Sequence, residues 1–326
     1  MMTGCRSLER TEDGGTLAAA RPRLLVLVGP TAVGKTALAL PLAEALDGEI
    51  VSADSRLVYR GLDIGTDKPS LADRLRVPHH LIDVVDPAAP FSLAMYQELA
   101  QAAIAGIAAR GRLPLLVGGT GQYVWAVVEG WTVPHVGPDP VLRARLFAEA
   151  QAHGSQALHA RLAQVDPAAA ARIDARNVRR VVRALEVYER TGQPISAGQH
   201  RQPRYNTLIL GLTLPRAVLY ARIDARIEGM IARGLVDEVR GLLDQGYTLD
   251  LPAMSGLGYR QIGYYLRGQV SLPEAIRLIK RETRRLVRHQ RNWFKPDDPR
   301  IRWFPADRPT VLEDLLAHIK TWSNCC

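Results

Sequence analysis

One stretch constrains this chain more than any other: RLLVLVGPTAVGKTAL, residues 23–38. An unbroken apolar run ends in a glycine, and a helical pattern begins at Lys35. Such a run suits a parallel strand covered on both faces. Between run and helix lies GPTAVGKT, residues 29–36. Gly29 and Gly34 let the backbone turn tightly enough for several N–H groups to converge on one anion. Lys35 adds a full positive charge, Thr36 offers a hydroxyl to a magnesium ion, and the helix N-terminus adds partial positive charge. Gly29, Pro30, Thr31, Ala32, Val33, Gly34, Lys35 and Thr36 are therefore the expected phosphate cradle, with Thr36 as the Mg2+ contact.

The rest of the chain supplies the context such a loop needs. GEIVSADS reads as a second strand with Asp54 just past its end, HHLIDVV as a third, LPLLVGGTG as a fourth, and TLILGLTL, near 207–214, as a later one. SLAMYQELAQAAIAGIAARG reads as a helix capped by Ser92 and stopped by Gly111. Strands alternating with helices predict an α/β fold: a P-loop NTPase-like parallel sheet flanked by helices. Ligands gather at the carboxyl ends of such strands, so Gly29, Asp54 and Gly118-Gly119-Thr120 can share one crevice. Pro41 lies inside the first helix, where it should bend the helix or cost about 3 kcal/mol.

Residues 130–206 break the alternation with helical patterns only, and read as a helical insertion. The organisation expected is a disordered tail over 1–22, core over 23–129, the insertion, and the rest of the core with basic helices over 207–326. Residues 216–246 form one long helix or two abutting ones, with Gly229 and Gly234 as breaks. Residues 271–295 form another. It places Arg277, Arg281, Arg284, Arg288, Arg291 and Lys295 along one side, with Ile276, Ile279, Leu286 and Trp293 toward the core.

Charge follows these boundaries. The net charge is +9. Residues 1–129 hold 12 Lys/Arg against 14 Asp/Glu, residues 130–206 hold 11 against 6, and residues 271–300 hold 9 against 4. Two basic blocks following a phosphate loop point to a polyanion such as nucleic acid; a solvated arginine-rich surface is the alternative. Cys5, Cys325 and Cys326 all lie in the terminal tails. They support neither a disulfide framework nor a cysteine zinc site, and a reducing cytoplasm suits them. The apolar runs are too short to cross a membrane, and the first 22 residues lack a secretion signal's apolar core.

A phosphate loop by default transfers or hydrolyses the terminal phosphoryl of a nucleoside triphosphate. Its usual companion is a metal-binding Asp at a strand end, for which Asp83 and Asp86 are weak candidates. VSADSRLVYRGLDIGTDKP unsettles that default by placing an isolated Asp54 at a strand mouth. This segment, with GPTAVGKT, PHHLIDVVDP, LPLLVGGTGQYV, RVVRALEVYERTG and LGYRQ, closely resembles the tRNA dimethylallyltransferases, over roughly residues 23–305.

The resemblance implies transfer of a dimethylallyl group from its diphosphate to N6 of the adenosine 3′ of the anticodon. The loop would then hold a prenyl diphosphate rather than ATP. The resemblance makes Asp54 the base for the amine, Arg226 a diphosphate ligand with Arg222 a less certain helper, and Thr120 a residue near the adenine or the channel wall. The rival readings are a structural cap or outer-sphere metal contact for Asp54, a surface cation for Arg226 and a turn residue for Thr120. The tRNA anticodon stem-loop would meet Asp54, Ser55, Arg56 and Leu57, then Thr120, then Arg143, Arg179, Arg180 and Arg183 of the insertion. Ser255, Gly258, Tyr259 and Arg260, with Arg284, Arg288 and Gln290, would complete the cradle. No protein partner is demanded, so a monomer is expected. His79 and His80, adjacent on a strand, point to opposite faces and read as structural. Rival functions are an adenylate isopentenyltransferase acting on free AMP, a small-metabolite kinase, and a non-catalytic RNA-binding protein.

Overall fold

The computed structural model describes residues 21–198 and 200–324; Cys5, Cys325, Cys326 and most of the tail predicted over 1–22 lie outside them. The first half of the chain runs β1 (Arg23–Val28), α1 (Lys35–Ala45), β2 (Gly48–Ala53), α2 (Leu71–Arg76), β3 (His79–His80), α3 (Leu93–Ala109), β4 (Leu113–Gly118) and α4 (Gly121–Val128). Four helices follow: α5 (Pro140–His153), α6 (Ser155–Val165), α7 (Pro167–Ala170) and α8 (Val178–Thr191). The chain then returns to the sheet with β5 (Asn206–Thr213), α9 (Arg216–Ala232), α10 (Leu235–Asp244), α11 (Tyr259–Leu266), α12 (Leu272–Trp293), β6 (Ile301–Pro305) and α13 (Val311–Asn324).

All six strands run parallel, in the order β3-β2-β4-β1-β5-β6. Alternate residues of β1 feed two separate cores. Leu25 and Leu27 pack with Leu210, Leu212, Ile223, Ile227 and Ile279 on one face. Leu24, Val26 and Val28 pack with Tyr96, Ile104, Val124 and Val127 on the other. Helices covering both faces explain why RLLVLV is apolar throughout. Register then sets the site: Val28 pairs with Gly118, and Gly118 with Ala53. Three neighbouring strands thus end at one level, and the residues just beyond them are Gly29, Gly119 and Asp54.

α5, α6 and α8 build a third core of their own from Leu146, Leu158, Leu162, Val181, Val182 and Leu185. The fully buried Glu186 holds this insertion together. It accepts two hydrogen bonds from Arg143, one from Arg183 and one from the Asp139 N–H, at 2.7–2.8 Å.

Several expectations need correction. The third strand is two residues long, not HHLIDVV. Leu81 and Asp83 adopt left-handed φ of 64° and 57°, which no strand accommodates. Beyond them, Val84 and Val85 donate to Val58 O instead of joining the sheet. The pair 216–246 breaks at Gly234, φ 97°, while Gly229 stays inside α9. α12 ends at Trp293, so Lys295 lies off the helix. Its inward face is Ala275, Ile279, Thr283, Val287 and Gln290, whereas Leu286 is 39% exposed. α1 runs through Pro41. The carbonyl opposite the missing N–H belongs to Ala37, an exposed residue with access to water.

Burial raises the Glu186 pKa, but Arg143, the Asp139 N–H and Arg183 outweigh it and hold the carboxyl at about 2. A depressed carboxylate stabilises the fold above its unfolded value, 4.5, and the contribution is lost as pH falls from there toward 2. Glu186→Gln leaves two arginines without their anion. It should destabilise the protein at neutral pH by about 3 kcal/mol and flatten the acid limb of its stability profile between pH 4.5 and 2. Urea unfolding across pH, followed by helical circular dichroism, checks both.

Candidate active site

The loop over residues 29–36, the expected phosphate cradle, leaves β1 with Gly29 at φ 148°, Ala32 at 66° and Gly34 at 107°. A Cβ on Gly29 would stand 2.7 Å from Leu212 O, so only glycine lets the loop pass β5. Lys35 folds back beneath the loop, and its Nζ donates to Gly29 O at 3.0 Å and Pro30 O at 2.9 Å. Burial lowers its pKa to about 8; the Asp54 carboxylate opposes that shift and Arg226 adds to it. Arg222 supports the loop from behind, donating to Val33 O at 3.2 Å.

Asp54 emerges from β2 with one carboxylate oxygen accepting from Arg56 N at 2.8 Å. This local turn aims the rest of the carboxylate outward. Ser55 N donates to Thr120 Oγ1 at 3.0 Å, tying the end of β2 to the end of β4. Arg56 in turn staples the 252–255 loop through Pro252 O at 2.6 Å and Ser255 Oγ at 3.4 Å. Asp54, Ser55, Arg56, Thr120, Arg226, Ser255, Gly258, Tyr259 and Gln290 all line one cavity of about 370 Å³. Ile223, Ile227, Met230, Ile279 and Leu286 give it an apolar wall. The spacing 223, 227, 230 follows one helix face beside Arg226, a signal present in the sequence but not used there.

Thr31 alone of the eight loop residues lines this cavity; Thr36 opens into a neighbour of about 580 Å³, with Asp63, Asp67, Lys68 and Asp73. The partition between them is an ion pair absent from the sequence reading. Arg226 Nε donates to Asp67 at 3.0 Å and Nη2 to Thr66 O at 3.2 Å, while Arg233 takes the other Asp67 oxygen at 2.8 Å. Glu238 anchors that loop by accepting from the N–H groups of Asp63, Ile64 and Gly65 and from Tyr259 Oη. Nothing local in the sequence announces the Asp67–Arg226 pair or the grip of Glu238 on residues 63–65, because those partners are more than 150 residues apart.

The predicted RNA contacts divide by exposure. Arg143 and Arg183 are held by Glu186, and Arg284 by Asp224 at 2.5 Å. Tyr259, 1% exposed, and Gln290, 7% exposed, point inward. Arg179 and Arg180 are exposed and carry no ion pair among the described residues, as is true of Arg288. Burial raises the Tyr220 pKa, but Arg288 and Arg216 beside it together outweigh that and pull it below the ordinary value. Leu57 and Arg260 are half-buried. The weak metal candidates are also engaged: Asp83 pairs with Lys68 and Arg74, and Asp86 accepts from Tyr247. His80 bonds Glu49 and His79 bonds Val77 O, as structural residues would. No helix among the described residues is long and apolar enough to cross a membrane.

A family model described as IPP transferase matches residues 57–297. The chain belongs to the IPP transferase family. It is 60% identical over 298 residues to a tRNA dimethylallyltransferase of Roseiflexus castenholzii, covering 91% of this chain and 97% of the relative. To that of Roseiflexus sp. strain RS-1 it is 56% identical over 300 residues, covering 92% and 98%. Its fold matches the full-length tRNA isopentenylpyrophosphate transferase of Bacillus halodurans at 42% identity and TM-score 0.69, over 92% of this chain and 96% of that one. It also matches a eukaryotic dimethylallyltransferase acting on tRNA at 25% identity and TM-score 0.79, over 93% and 80%. The family is one of prenyl-transferring enzymes, so this P-loop-type sheet is an IPP transferase core.

The electrostatics of this core are open to titration. NMR of labelled lysine should place the Lys35 midpoint at about 8. Asp54→Asn should lower that midpoint and Arg226→Ala should raise it. A midpoint near 10.5, the unperturbed value, would mean that the ammonium lies in water and not under the loop.

Proposed function

We propose that this enzyme transfers a dimethylallyl group from dimethylallyl diphosphate to N6 of adenosine 37, the nucleotide 3′ of the anticodon, in tRNAs reading codons that begin with uridine. The products are N6-dimethylallyladenosine and diphosphate. The observation that carries this reading is one cavity in which Asp54, Thr120 and Arg226 face an apolar wall beside the phosphate loop. A kinase site for small polar metabolites has little use for Ile223, Ile227, Met230 and Leu286 at that place, whereas a five-carbon prenyl tail does.

The reaction follows from charge. The bond between C1 of the donor and the diphosphate oxygen breaks as N6 attacks C1. Negative charge grows on the leaving diphosphate, where the loop N–H groups, Lys35 and Arg226 stabilise it. N6 loses a proton as its new bond forms, and Asp54 takes it. Thr120, hydrogen-bonded to Ser55, holds the strand end beside the adenine.

Magnesium fits this site only together with the donor. Thr36 supplies one hydroxyl, and no group of three metal-ligating side chains occurs among the described residues. Mg2+ is content with one or two protein ligands, substrate phosphates and water. Bound there, it would offset charge on the diphosphate.

For the RNA, Arg179 and Arg180 of the insertion and Arg288 and Arg291 of α12 are exposed cations that form no ion pair with a carboxylate among the described residues. They suit phosphate contacts that position the anticodon stem-loop without reading its sequence. Adenosine 37 leaves its stack to reach the cavity, as bases must for buried chemistry. The 25% identical eukaryotic structure, described as acting on tRNA, supports the same partner here. A cytoplasmic monomer is the form we infer.

The decisive assay incubates the enzyme with labelled dimethylallyl diphosphate and either bulk tRNA or AMP. Label is expected in tRNA at adenosine 37. Label in AMP alone would favour the adenylate isopentenyltransferase, and ATP turnover with no label would favour a kinase. Asp54→Asn should lower turnover on the order of 10²-fold or more, with donor and tRNA affinities little changed. Near-normal turnover would remove Asp54 from the chemistry.

A further inference from the structure

Gln290 lies on the inward face of α12 at 7% exposure, and its side-chain amide is used at both ends. Oε1 accepts from Thr31 N at 2.9 Å, and Nε2 donates to Gly119 O at 3.0 Å. One neighbour can only donate and the other can only accept, so the amide orientation is forced, and no other side chain of this length satisfies both. The segment across from it is built to admit the helix. A Cβ on Gly119 would stand 2.5 Å from Gln290 Nε2, and one on Gly121 would overlap the Trp293 ring. One turn beyond Gln290, Trp293 O accepts from Trp125 Nε1 at 2.8 Å. Gly119 and Gly121 are therefore the space into which α12 docks.

We propose that Gln290 is a positioning residue that fixes the mouth of the phosphate loop to the end of β4, and is not an RNA contact. The inference rests on the donor reading above, because its consequence is for the diphosphate. Loop N–H groups bind an anion well only when they are held in place before it arrives. Thr31 is the loop residue that faces the reaction cavity, and Gly119 directly precedes Thr120. A single amide thus sets the spacing between the group that holds the leaving diphosphate and the strand end beside the acceptor base. The same bond joins both to α12, whose outer face carries Arg288 and Arg291.

The test is Gln290→Met, which keeps length and bulk and loses both hydrogen bonds. Affinity for inorganic diphosphate, by calorimetry, should fall roughly tenfold or more, the scale of two lost buried bonds. The donor KM should rise with it, while tRNA affinity stays within about twofold of wild type. Unchanged diphosphate affinity would overturn the proposal, and so would a loss of tRNA affinity, alone or alongside it, in a variant of normal melting temperature. If the variant does not fold, amide hydrogen exchange on the wild-type enzyme decides. The Thr31 N–H should be protected with no ligand present, and exchange at the rate of an open loop would sink the clamp. Wild-type enzyme that binds no diphosphate at all would count against the donor reading, and the clamp would then stand or fall on the Thr31 exchange.

Discussion

Three parallel strands that end at one level are the constraint on which the rest of this molecule depends. Pairing of Val28 with Gly118, and of Gly118 with Ala53, brings the phosphate loop, Gly119-Thr120 and Asp54 to a common edge. That register costs nothing locally, because each strand is buried on both faces and its pairing follows from the two cores it separates. Slip any one strand by a residue and its apolar set changes faces, and the corresponding site residue leaves the edge. The sheet order β2-β4-β1 places the proposed base and the phosphate loop on either side of Thr120.

The charges at this edge already have partners. Lys35 caps two carbonyls of its own loop, and Arg226 pairs with Asp67. Under the proposed function, the diphosphate would therefore exchange partners here and would not fill a bare positive hole. The arrangement limits the cost of keeping Arg226 close to a lysine whose burial already disfavours its charge. It also preorganises the site, since Glu238 fixes the loop that carries Asp67 through three backbone N–H groups. Arginine suits that position because five N–H donors let it keep Asp67 and still present donors to a ligand.

Much of this was legible in the chain itself. The phosphate loop, Asp54, Thr120 and Arg226 are short local patterns, and the structure gathers Thr31 of the loop with the other three around one cavity. The α/β sheet and the helical insertion were legible for the same reason: periodicity is local. What was missed depended on tertiary contacts that composition does not show. HHLIDVV has a strand's composition, yet after His80 it pairs with the 57–59 loop. Arg143 and Arg183, named through the resemblance as RNA contacts, are also ligands of the buried Glu186, a pairing that the basic block did not announce. Gln290 entered as an RNA contact through the resemblance, and the structure places it on the buried face of α12. Helical spacing from Ile279 through Thr283 and Val287 to Gln290 already traced that face, and two polar members on an inward stripe were the available clue.

The central claim is that a loop of nucleotide-triphosphatase design serves a prenyl diphosphate. Direct competition binding tests it best: titrate the enzyme with dimethylallyl diphosphate, inorganic diphosphate and ATP, each with magnesium, by calorimetry. The account predicts that the prenyl diphosphate binds more tightly than inorganic diphosphate, because the Ile223–Ile227–Met230 wall accepts its tail, and that ATP does not displace it. ATP binding as tight as or tighter than the prenyl diphosphate, with no gain from the prenyl tail, would contradict it.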